Sequence, residues 1–320
     1  MRYAAYYKKM LSKEEQSIYD IICSEIALHQ SPIKTPHFDC SRLHKIIFSV
    51  KYDNPEFFYV DYSNVSAQIL HTHCEINISY IMDVQQCKDI INQISHVASN
   101  LFQHIKSQSS LKQALYLHDW LIKNTTYSTD NYFSNSSHTM VGAILYGKCV
   151  CEGYAMAYKY FMDIARIYCT IVCGEGIHPD GTSGSHAWNL LVLNNKPYHV
   201  DVTFDHLFAG KYCSRAYFLL STKEILIDHS IDDLVPIPIC KENGGVLQYV
   251  TRTRELVEFL DIESKRNVAH SEVRLSARFT KEQLFNMIDN WLSIHTEVKL
   301  SRNPQYWFGD YSRTLFIIWM

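Results

Sequence analysis

Three side chains able to run thiol acyl-transfer chemistry stand in chain order at Cys151, His186 and Asp201. In such a set the thiolate attacks an acyl carbon, and the imidazole takes the thiol proton and returns it to the leaving amine. The carboxylate fixes the ring tautomer and stabilises the imidazolium. Cys151 lies in GKCVCEGYAMAY, residues 147–158, where a helical pattern begins. The unsatisfied N–H groups and positive dipole end of a helix start favour a thiolate there, and the Cys151 N–H is the first candidate donor to an oxyanion. Two neighbours could line the site. Cys149 reads as a small buried filler, or as a gate or redox partner for Cys151; Gly153 marks a place where a strand or a substrate comes close.

The partners must be carried by a hairpin. SHAWNLLVLNNKPYHVDVTFD turns at Asn194-Asn195, residues that tolerate the positive φ of a type I′ turn. With Leu193 opposite Lys196, Trp188 falls opposite Asp201 and His186 opposite Thr203. His186 and Asp201 therefore share a face as diagonal neighbours, about 7–8 Å apart in the backbone and within reach of each other's side chains. Trp188, on the same face, is a candidate wall or substrate shelf, and His199 is expected to point to the opposite side. His138, in the SSHT segment, either lines the cleft or has a capping or core role.

Around this hairpin the chain reads as α+β, with a cysteine-bearing helix packed on an antiparallel sheet that carries His and Asp. SKEEQSIYDIICSEIAL begins with Ser12 three residues before Glu15, a capping-box spacing, and continues at helical intervals. A second helix covers CSRLHKIIFSVKYD up to Asn54-Pro55, and strands follow over FFYVDYS and QILHTHCEINISYI. Helical periodicity returns over 84–105 and 110–124, with Leu111, Leu115, His118 and Leu121 or Ile122 on one stripe. Tyr127 to Ser137 reads as a polar loop. Beyond about residue 235, two helices (TRTRELVEFLDIESK and KEQLFNMIDNWLSI) and two strands (VRLSARF and RTLFIIWM) form a separate piece. The division is 1–105, an N-terminal α+β accessory module; 106–232, the catalytic core; and 233–320, a C-terminal α+β module.

The motifs CEGYA, HAWN and YHVDVTFD, in this order and spacing, closely resemble the transglutaminase-like superfamily, relatives of papain-type cysteine peptidases. YLHDWLIKNTTY, SSHTMVGAILYGK and YFLLSTKEI are similar to bacterial members. The resemblance implies a papain-like core with Cys151, His186 and Asp201 as the triad, acting on peptide or protein amides through a thioester. It covers peptidases, with crosslinking or deamidating enzymes next, and scaffolds that have lost catalysis. The family usually has glycine where this chain has Cys149, and often tryptophan where it has Phe204.

Composition narrows the class further. The chain has 320 residues, 47% of them hydrophobic and 20% charged, enough to bury a full core. A formal charge of −3 gives no footprint for nucleic acid. No apolar run is long enough for a membrane span, and the start lacks the pattern of a secretory signal, so the expected compartment is the cytoplasm. Ten cysteines in a chain of this length read as reduced thiols rather than a disulfide framework. His71 and His73 of HTHC would share a strand face as half of a zinc site, with no second pair to complete it. Cys169 and Cys173 read as core thiols, and His118 and Asp119 as structural. No calcium loop occurs, so neither a metal nor another cofactor is expected.

Overall fold

The computed structural model describes residues 5–128, 135–177 and 181–320; part of the polar loop expected over 127–137 lies outside them. The N-terminal part comprises helix α1 (Lys13–Ala27), strand β1 (Ile33–Thr35), helix α2 (Leu43–Asp53), strands β2 (Val60–Ile69) and β3 (Cys74–Tyr80), and helix α3 (Val84–Ile105). Ser12 caps α1 in a full capping box with Glu15, satisfying N–H groups that a helix start leaves without partners. One strand had been expected over residues 68–81. The chain instead turns back after Ile69, with Leu70 N–H donating to His73 O at 2.9 Å. His71 and His73 thus sit in a hairpin turn, not on one strand face.

The central part holds α4 (Ser110–Asn124), α5 (Cys151–Ile164), β4 (Tyr168–Ile177), β5 (Ser183–Leu193), β6 (Lys196–Val200), α6 (Val202–Ala209), β7 (Phe218–Leu220) and β8 (His229–Ile231). Its five strands form one sheet in the order β8-β4-β5-β6-β7, antiparallel throughout. The β5–β6 hairpin turns at Asn194 and Asn195, both with positive φ, and pairs Leu193 with Lys196 as the sequence predicts. Helix α4 buries Ala114, Leu117, His118, Leu121 and Ile122, with Leu115 packed at the edge of the core, so the expected stripe holds from Leu115 onward and fails at exposed Leu111.

Two apolar layers sandwich this sheet. On β5, Ala187 and Leu191 join Tyr154, Ala157, Tyr158 and Phe161 of α5, and Asn189 Nδ2 donates to Ala155 O at 3.0 Å. Trp188 and Leu190 point the other way, into a cluster with Val172, Phe204 and Leu220. The alternation that made the hairpin readable is therefore also what buries both faces.

The last part contains β9 (Tyr249–Val250), α7 (Thr253–Glu263), β10 (His270–Leu275), α8 (Lys281–Ile294), β11 (Gln305–Gly309) and β12 (Thr314–Ile318), its sheet ordered β9-β10-β12-β11. Its core, from Val250 to Trp319, is a cluster of its own. The N-terminal helices, in contrast, share one continuous cluster with α4, α5 and the central sheet. No helix among the described residues is long and apolar enough to cross a membrane.

Leu191 is fully buried in the seam between α5 and the sheet. Leu191→Ala is expected to lower stability by about 2–5 kcal/mol, read as a drop in the urea midpoint with an unchanged slope.

Candidate active site

Cys151 is the first residue of α5. Val150 at the N-cap has no side chain able to cap, so the first N–H groups of the helix stay available to an anion. Cys151 keeps partial exposure, while Cys149 is sealed from solvent and burial pushes its thiol well above the ordinary range. A Cβ on Gly153 would stand 2.6 Å from both Cys149 Cβ and Ser137 O. The group that comes close to this glycine is the protein itself, because the Cys149 side chain occupies the space; neither residue offers the surface of a substrate pocket.

The Cys151 thiol is near enough to the His186 ring to favour its protonated form. His186 Nε2 is 2.7 Å from Asp201 Oδ2, which leaves Nδ1 as the nitrogen on the sulfur side. Of the three residues read from the sequence, His186 and Asp201 are thus in direct hydrogen-bond contact. Burial opposes a charge on His186, but Asp201 and then Cys151 outweigh it and push the ring up to about 10. Burial likewise opposes the Asp201 carboxylate, and His186 and His229 overcome it to hold the group far below its ordinary value.

The backbone delivers Asp201 differently from the expectation. The strand stops at Val200, and Asp201 is the N-cap of α6, its Oδ1 accepting from Thr203 N–H at 2.9 Å and Phe204 N–H at 3.1 Å. Thr203 is consequently helical and does not pair with His186. A strand-like approach and a cap are combined in one residue, which orients Oδ2 toward the imidazole.

Trp188 is 1% exposed, so it backs the site and presents no shelf. Its ring stacks on His186 at 5.8 Å, and its Nε1 donates to His199 Nδ1 at 3.1 Å. His199 therefore shares the face of His186 and Asp201, correcting the expected opposite orientation: residues 199 and 201 are two apart and must project alike. His138 is half-exposed, its Nδ1 3.0 Å from Glu152 Oε2. It lines a cavity of about 220 Å³ between α5 and the N-terminal part, together with Lys51, Phe57, Phe58 and Glu152.

Two features escaped the sequence reading. Glu152, next to Cys151, is gripped by Lys51 Nζ at 2.6 Å and Tyr52 Oη at 3.0 Å, which ties α2 to the start of α5. His229 on β8 places Nε2 3.1 Å from Asp201 Oδ2 and Nδ1 2.6 Å from Asp228 Oδ1. The only sequence signal was the Asp228-His229 pair in LIDHSI. The nitrogens of His186 and His229 and the carboxylate of Asp201 all lie within 4.8 Å of one another, and the contacts of 2.7 Å and 3.1 Å between them are hydrogen bonds. His118 and Asp119 lie away from this cluster: buried His118 is 3.0 Å from both Asp119 Oδ1 and Asp205 Oδ2.

Residues 96–202 match the model of the transglutaminase-like superfamily. Cys151, His186 and Asp201 fall inside this transglutaminase-like segment, and Asp228 and His229 lie beyond it. No curated protein matches the chain significantly. Among solved structures, similarity is found to a TGase at 12% identity and a TM-score of 0.32, over 45% of this chain and 45% of that one. A candidate cysteine protease from Cytophaga hutchinsonii is similar at 12% identity and a TM-score of 0.30, over 44% of this chain and 61% of that one. The chain thus spans about half the length of these two structures.

Burial opposes the Glu152 carboxylate, yet His138 and Lys51 hold its pKa below 4.5. Its contribution to stability is then complete above that value and lost as pH falls through the lower folded value. Glu152→Gln should cost about 1–3 kcal/mol at pH 7 and progressively less as the pH falls below the ordinary carboxylate range, checked by urea unfolding across that range.

Proposed function

We propose that the chain is a cysteine-dependent acyl-transfer enzyme that cleaves peptide or protein amides through a thioester, with Cys151 as nucleophile, His186 as acid and base, and Asp201 as orienter. The observation that carries this reading is the His186–Asp201 hydrogen bond of 2.7 Å; Cys151, partly exposed at the first position of α5, is among the groups that favour the protonated form of the same ring. Residence of all three within the transglutaminase-like segment supports it.

In the forward half-reaction His186 Nδ1 takes the thiol proton as Sγ bonds to the carbonyl carbon. The tetrahedral oxyanion forms against the helix-start N–H groups, Cys151 N–H first among them. Collapse breaks the C–N bond, and the proton on His186 passes to the leaving amine, leaving a thioester. Water then attacks with His186 again as base, and the thiol is released with the acid product. An amine in place of water would give a crosslink by the same steps, and a glutamine side chain with water would give deamidation.

Cys151→Ala is expected to abolish turnover and His186→Ala to lower it by about 10²–10⁴-fold. Incubation of the full chain with a peptide library, with and without a primary amine and read by mass, separates cleavage, deamidation and amine adducts. Alkylation of Cys151 by iodoacetamide at mildly acidic pH should outpace that of the other thiols and slow in Asp201→Asn. Equal rates, together with no modified peptide, would mark the chain as a binding scaffold instead.

A further inference from the structure

The groups behind Asp201 continue as a line of hydrogen bonds to the far side of the sheet. His229 begins β8 opposite Gly176 of β4, and its ring centroid is 5.3 Å from that of His186. Its Nε2 reaches the Asp201 oxygen that His186 also uses, at 3.1 Å, and its Nδ1 reaches Asp228 Oδ1 at 2.6 Å. Tyr217 Oη donates to the other oxygen of Asp228 at 2.5 Å. Tyr217, Asp228, His229 and Asp201 are all buried.

Proton counting constrains this arrangement. An ionised carboxylate can only accept, and a neutral imidazole has only one N–H to give. Both nitrogens of His229 face carboxylate oxygens, so both bonds exist together when the ring carries two protons, or when it carries one and Asp228 Oδ1 holds the other, the two cases that the ring nitrogens' protonation distinguishes. Asp201 cannot supply the missing proton without displacing a donor, because Oδ1 already accepts from two backbone N–H groups and Oδ2 from His186. The groups around the ring are His186 and Trp188 of β5, His199 of β6, Asp201 and Phe204 at the start of α6, Tyr217 before β7, and Asp228. Of these, His199 is held neutral by burial and by His229, its pKa pushed down to about 3. The two carboxylates are thus the groups that balance the charge.

We infer that Asp228 and His229 are a positioning pair for the reaction proposed above: His229, as an imidazolium held between two carboxylates, fixes Asp201 in place and keeps a positive charge beside the site of His186. The inference rests on that functional reading. A cation at this point disfavours a second one on His186, so it moderates the basicity that Asp201 confers and leaves the base able to release its proton to the leaving amine.

The test is the pH profile of Cys151 alkylation by iodoacetamide in the full chain, read by mass at Cys151, in wild type, His229→Gln, Asp228→Asn and Asp201→Asn. Gln retains an amide donor for Asp201 but no charge, so both limbs should move to higher pH, the alkaline one by about 1 unit. Asp228→Asn should shift them the same way by less. In the wild type, ¹⁵N NMR of the histidine rings should show both nitrogens of His229 protonated near pH 7, and this measurement decides the matter if His229→Gln does not fold. Unmoved limbs in folded His229→Gln, a neutral His229 tautomer near pH 7, or one equivalent of tightly held metal lost on mutation of His229 would each overturn the inference. A wild-type Cys151 that alkylates like an ordinary thiol removes the functional reading itself; a fast Cys151 with unmoved limbs removes only the role of the pair.

Discussion

The carboxylate of Asp201 accepts from two backbone N–H groups on one oxygen and from two imidazoles on the other. It does this at the point where β6 ends and α6 begins, fully out of contact with solvent. A buried anion is costly unless its lone pairs are occupied, and here each partner also has a structural task. The helix start needs a cap, the strand needs an end, and His186 needs an orienter. Moving this carboxylate by one residue would undo the cap and turn it to the other face of the strand at once.

Cys151, the proposed nucleophile, depends on a second junction. Helix α5 receives its direction from the seam with β4 and β5, but its first turn is held by Glu152, which Lys51 and Tyr52 grip from α2. The N-terminal helices are therefore more than an appendage: their apolar residues merge with those of α5 and the sheet in one core. The last part, with a core of its own, meets the central part through an apolar cluster of Phe208 and Ala209 with Phe316 and Ile318 and through polar contacts such as Arg215 N–H to Glu272 at 2.9 Å.

What could be read from the sequence was whatever local pattern dictates. The capping box at Ser12 and Glu15, the Asn194-Asn195 turn and the period-2 alternation of β5 are local rules, and they gave the register and the meeting of His186 with Asp201. The mistakes came where a local rule competes with another. YHVDVTFD looks like uninterrupted strand, yet an aspartate followed by free N–H groups is also a helix start, and capping prevailed at Asp201. HTHC has the composition of strand, but the chain must reverse between β2 and β3. His229 was invisible for a different reason: it reaches Asp201 only because β8 returns to pair with the edge of β4, a long-range event with no periodic trace.

The fit between Cys149 and Gly153 carries a consequence for how this site can vary. The sulfur-bearing side chain and the backbone oxygen of Ser137 together fill the volume that a Cβ at position 153 would claim. Glycine at 149 would open a void beneath the first turn of α5, and alanine at 153 would collide with cysteine at 149. The constraint runs one way: because Ser137 O stands 2.6 Å from the same Cβ, position 153 stays closed to a side chain whatever occupies 149, while 149 is limited by the volume that remains.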